Sequence, residues 1–204
     1  MASRTAELLD RIAGLERELE SELTRRRALW RYRVEAGRVR FEREVHDAHR
    51  RLKQHLPEFL RESTPLTVLT APAIYSLIVP VALLDLWVTL YQAICFRAWG
   101  IARVRRSAYI VVDRHSLAYL NAVEKLNCVF CGYANGVFAY VREVAGRTEQ
   151  YWCPIRHAKR IRAPHPRYRG FVEYGDAEGY KRRLIPLRDA LKDEHRPEGL
   201  RTRD

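Results

Sequence analysis

Residues 65 to 96, PLTVLTAPAIYSLIVPVALLDLWVTLYQAICF, carry a single charged side chain, Asp85. From Pro65 to Leu84 the run is uncharged, which is about the length that crosses the hydrocarbon core of a bilayer as a helix. Trp87, Tyr91 and Trp99 are residue types that gather at the membrane interface. The rest of the chain holds too little apolar sequence to surround such a helix, so the run is expected to enter a membrane.

Two modes of entry fit the run. One is a single span followed by an interfacial helix. The other is a re-entrant helical hairpin, broken near Pro72 or Pro80, where proline removes a helix hydrogen bond. Two full spans do not fit, because each half is too short. Basic residues flank both ends: Arg50, Arg51, Lys53 and Arg61 before, Arg97, Arg103, Arg105 and Arg106 after. The positive-inside rule therefore selects no orientation, and re-entrant insertion matches this symmetry. Asp85 is either a functional intramembrane acid or the point of exit.

The formal net charge of +12 points to an anionic partner. Anionic lipid headgroups are the simpler expectation beside an apolar anchor. Nucleic acid, held by the basic stretch Arg156 to Arg169 with Tyr168 and Phe171, is the less favoured one. The chain opens on a charged run with no secretory signal pattern. Reduced thiols and an inner-membrane location, with the metal-binding part facing the cytosol, are expected.

The fold class is expected to be mainly α. Residues 1–62 read as an amphipathic, coiled-coil-like helical region. Apolar residues recur from Leu8, Ile12, Leu15 and Leu19 to Trp30, Val34 and Phe41 in steps of mostly three, four and seven. The stripe weakens at Arg25 to Arg27, so two helical stretches with a weak join are expected, pairing with another copy or a helical partner. Residues 65–100 form the membrane segment, 107–175 a metal-stapled α(+β) domain, and 176–204 a basic, partly disordered tail. Within the third region, Ala108 to Val112 reads as a strand. Two helices are expected to meet at a turn near Gly132 and Gly136. A short helix from about Ala177 to Lys192, interrupted by Pro186, is expected in the tail.

The strongest chemical signal is Cys128-Val-Phe-Cys131 followed, some twenty residues later, by Cys153-Pro-Ile-Arg-His157. Two short ligand pairs separated by one supersecondary unit is the arrangement of a structural zinc site. Three thiolates and one imidazole would fill a tetrahedral ion. Iron or an iron–sulfur cluster is the second choice, and a metal-free Cys128/Cys131 dithiol the third. Glu149 and His115 are candidates for orienting the ligands or for acid–base work. Cys95 is expected to pack as a small hydrophobe.

No nucleotide-binding glycine loop, nucleophile elbow or paired-histidine metalloprotease pattern is present. The leading expectation is a membrane-anchored, bacterial-type scaffold or adaptor with a zinc-stapled domain. A membrane-bound enzyme using a metal or dithiol is the alternative, and a membrane-associated nucleic-acid binder the second alternative.

Overall fold

The structure is a computed structural model, and it describes residues 4–28, 32–35, 38–41, 43–62 and 64–194. The chain is mainly helical. It divides into two compact units, one of residues 1–62 with 113–125, the other of 63–112 with 126–204.

In the first unit, α1 runs from Arg4 to Ala28. Its Glu22 pairs with Arg25 and Arg26 at 3.4 and 3.1 Å. The expected second helical stretch does not continue from there. Instead β1 (Tyr32–Glu35) and β2 (Arg38–Phe41) form an antiparallel hairpin, with Val34 opposite Val39. The reason is legible afterwards: Trp30, Tyr32, Val34 and Val39, Phe41 alternate with charged residues around a glycine. That is the two-residue period of a strand. Two short helices follow, α2 (Arg43–Arg51) and α3 (Leu56–Glu62). The His49 ring meets those of Phe41 and Tyr119 edge-on, at 5.1 and 5.2 Å.

The second unit is built on two long helices. Thr64 caps the first and Pro65 opens it, where a missing N–H costs nothing. Helix α4 spans Pro65–Ser76 and α5 spans Ile78–Tyr91. A π-helical turn, Gln92–Phe96, leads into α6 (Arg97–Trp99). Gly100 stops the helix in the left-handed conformation, with φ +67°. The expected re-entrant hairpin is not formed. Leu77, between α4 and α5, keeps near-helical angles (φ −61°, ψ −16°), so the chain does not reverse. Pro72 and Pro80 are both accommodated within this helical run. Asp85 sits within continuous helix.

Helix α7 runs unbroken from Ala122 to Trp152. Its start is a capping box. The Asn121 carboxamide accepts from the N–H groups of Val123 and Glu124, both at 3.0 Å, while Glu124 accepts from the Asn121 N–H at 2.8 Å. The expected turn at Gly132 and Gly136 is absent, and Gly136 serves packing instead. A Cβ on Gly136 would lie 2.8 Å from Ile110 Cα and from the Tyr109 carbonyl oxygen. One on Gly146 would lie 2.9 Å from His165 Nδ1.

Helices α5 and α7 run parallel. Tyr75 meets Asn127 and Phe130, Asp85 meets Tyr133, Gln92 meets Tyr140, and Tyr91 meets Thr148. A parallel pair needs a long return connection, and residues 101–112 run back along it. The return is irregular backbone with one 3₁₀ turn, Arg106–Ala108, and not the expected strand. The core closes around Phe96, Ile101, Val104, Tyr140, Val144 and Leu191. Leu191 comes from α8 (Ala177–Asp193), which matches the helix expected there and continues through Pro186. The tail expected to be partly disordered thus contributes to the core, while its last ten residues lie outside the described ones.

Gly136→Val should destabilise the protein by about 1–3 kcal/mol, the range for over-packing. Thermal unfolding in mild detergent checks this. An unchanged melting temperature would show that the return segment does not press on α7.

Candidate functional site

The sequence-predicted ligands are not brought together. Cys128 and Cys131 lie near the start of α7, while Cys153 follows its last residue and His157 lies beyond. At 1.5 Å per residue, unbroken helix places roughly 35 Å between the two pairs. The zinc expectation needed the intervening chain to fold back, and it is helix throughout. Among the described residues no three His, Cys, Asp or Glu side chains converge as metal ligands. The backbone N–H of His157 donates to the Tyr168 hydroxyl at 2.7 Å. Glu149 bonds the Nε2 of His165 at 2.8 Å. His115 is exposed in a 3₁₀ turn, Arg114–Ser116, and belongs to the other unit. Cys95 is half-buried.

The structure draws attention instead to α4 and α5. No residue of α4 is buried, although Leu66, Val68, Leu69 and Ile74 cover its sides. A helix that is apolar all round is ordinarily buried in protein or lipid. Helix α5 has two faces. Its inner one packs Val81 against Ala134 and Val137 of α7. Its outer one exposes Val79, Leu83, Leu86, Trp87 and Leu90, with Trp87 74% exposed. Together, Pro65–Trp99 is 35 residues of helix, long and apolar enough to cross a membrane by length and composition.

Polar residues on the inner face are all engaged. Asp85, nearly buried, accepts from Arg106 at 2.9 and 2.5 Å and from the Tyr133 hydroxyl at 2.8 Å. Gln92, fully enclosed, pairs twice with one residue of the return segment. Its Oε1 accepts from the Val104 N–H at 3.0 Å and its Nε2 donates to the Val104 carbonyl at 3.3 Å. Nε2 also contacts the Tyr140 hydroxyl. Asp85 thus serves as an ion-pair partner that holds the return segment.

Four charged groups lock the far end. Glu143 accepts from Arg147 at 2.9 Å and from Arg167 at 2.6 Å, and Glu194 accepts from the same two arginines at 2.8 and 2.6 Å. Arg147 also donates to the Ala102 carbonyl at 2.6 Å. Burial pushes the Glu143 carboxyl up, but the hydrogen bonds and charges of Arg167 and Arg147 outweigh it and hold it below its ordinary value. Sequence reasoning missed this lock. Only Glu143 and Arg147 stand at the i,i+4 spacing that could have suggested a pair.

An open apolar groove of about 360 Å³ lies between α5 and α7, lined by Val88, Tyr91, Val144, Thr148, Glu149 and Trp152.

Arg167→Gln should cost about 1.5–3 kcal/mol, the range for hydrogen bonds to charged groups. Because the folded state depresses the Glu143 pKa, its contribution is complete above the ordinary carboxylate value of 4.5 and is lost as the pH falls through the folded-state value. Melting temperature against pH should therefore drop on the acid side, and Glu143→Gln should flatten that drop. No family model matches the chain, and no similar curated protein or solved structure is found.

Proposed function

We propose that the chain is a membrane-anchored scaffold whose α4–α5 helix enters the bilayer and carries a folded cap on the cytosolic side. The observation that carries this reading is the exposed apolar surface of α4 together with the outer face of α5. Lipid removes that surface from water, and each buried large aliphatic side chain contributes about 1.5–3 kcal/mol.

The inner face limits the depth of entry. Arg103, Arg105 and Arg106 are exposed on the return segment, which runs beside Asp85 and Gln92. Charged side chains at mid-bilayer are costly. The 35-residue helix would be roughly 52 Å long, well beyond a hydrocarbon core of about 30 Å. The reading that satisfies both limits has α4 inserted, the outer stripe of α5 against the lipid, and the return segment, α7 and α8 in the headgroup and aqueous zone. In that placement the exposed arginines of the return segment reach headgroups and water rather than hydrocarbon.

The helical region of residues 1–62 serves, in this reading, to join the anchored cap to another copy or to a helical partner. Exposed leucines at positions 8, 15 and 19 of α1 leave an apolar stripe for that contact.

Vesicle flotation tests the anchor. Wild-type protein should float with phosphatidylcholine vesicles, and Leu69→Asp combined with Leu86→Asp should remain at the bottom with an unchanged helical circular dichroism spectrum. Both positions are well exposed, so the fold has no stake in them. Flotation of the double variant at the wild-type level would refute the anchor. Trp87→Phe should also lose most of the blue shift in fluorescence that vesicles induce.

A further inference from the structure

A second recess opens at the end of the anchor helix. It has a volume of about 440 Å³, and its lining includes Arg97, Gly100, Arg103 and Lys192. Three elements meet there: the last turn of the helix, the start of the return segment and the end of α8. The lining holds three cationic side chains and no carboxylate. Lys192 is paired with Asp189 at 2.9 Å, so the positive charge of the lining is carried by Arg97 and Arg103.

The backbone around the recess is already engaged. The Gly100 N–H bonds the Arg97 carbonyl, the Ile101 N–H bonds that of Phe96, and the Ala102 N–H bonds that of Leu191. The Ala102 carbonyl is taken by Arg147. A ligand would therefore be held by side-chain charge rather than by a nest of amides. Guanidinium groups favour phosphate, since their planar donors match two phosphate oxygens at once. Position supplies the second argument. Arg97 follows Ile94, which is 69% exposed, by less than one turn of helix. The recess thus sits where an apolar surface gives way to a cationic one, which is the profile of an anionic phospholipid.

We propose that Arg97, Arg103 and Lys192 bind the phosphate of an anionic lipid headgroup, a site that rests on the membrane-anchored reading above. The anchor helix supplies general affinity for the bilayer, and this recess supplies the preference for its charge. Gly100 lines the mouth in a left-handed backbone conformation that disfavours any side chain there.

The test uses the full chain and two kinds of vesicle, phosphatidylcholine alone and phosphatidylcholine doped with phosphatidic acid. Binding to neutral vesicles reports the anchor; the ratio of doped to neutral binding reports the recess. Arg97→Gln with Arg103→Gln should leave neutral binding unchanged and lower the ratio by about fivefold per arginine. Lys159→Gln with Arg160→Gln removes the same charge elsewhere and should lower the ratio far less. Equal losses in the two double variants would reduce the effect to general surface charge and overturn the site. A wild-type protein that fails on neutral vesicles would instead sink the anchor. Inorganic phosphate that lowers the ratio by occupying the recess, without removing protein from neutral vesicles, would support the phosphate chemistry and name the soluble ion as a competing source. A short DNA duplex that abolishes the ratio through the same two arginines would reassign the recess to a polynucleotide and overturn the lipid.

Discussion

The paired hydrogen bonds between Gln92 and Val104 solve the problem that the parallel arrangement of α5 and α7 creates. Parallel neighbours cannot be joined by a tight turn, so the chain must return along their length. A returning segment that forms no helix or sheet brings unpaired N–H and C=O groups into a core, each costing about 1–3 kcal/mol if left unmet. Gln92 presents a carboxamide to Val104 and so stands in for a neighbouring strand. Arg147 does the same for Ala102, and Arg106 reaches Asp85 from the same segment. The side chains of α5 and α7 are in this sense the missing sheet. Close approach follows from the same geometry, and glycine at position 136 leaves the space for it.

The lock of Glu143, Arg147, Arg167 and Glu194 does for the fold what a structural metal site can do elsewhere. Both devices tie sequence-distant segments to one helix. A metal does so with few ligands of recognisable type and spacing. An ion-pair network does so with residues that are common in this basic chain. Removing one member leaves each of its two neighbours with a single partner in a partly buried setting, where incomplete pairing is costly. The network therefore acts as a single unit, and its members should not contribute additively.

What could be read beforehand followed from local chemistry. The apolar run, the mainly helical class and the α8 helix each depend on residues close in sequence. The failures share a cause as well. Gly132 and Gly136 read as turn residues, yet glycine permits both a turn and a close approach, and only the partner segment decides between them. Cys128 and Cys131 stand at a ligand spacing that is also simply i,i+3 on a helix. The hairpin at 32–41 was hidden because its apolar positions fit a helical step count when only a few were counted. Arg167 and Glu194 meet across 27 residues, and no periodicity announces them. Gln92 was invisible for a different reason: one uncharged polar residue in an apolar run carries no pattern at all.

Helix α5 is apolar on both sides, and the partner for its inner face lies later in the chain. During synthesis the run from Pro65 to Trp99 leaves the ribosome before α7 exists. At about 5–20 residues per second, the fifty or so residues still to come leave it uncovered for seconds. In water that interval favours aggregation, whereas a nearby bilayer can receive the outer face at once. Under the membrane-anchored reading proposed above, the order of the chain favours capture by the bilayer first and assembly of the cap on it afterwards. The bilayer in that sequence of events is a surface on which the fold is completed.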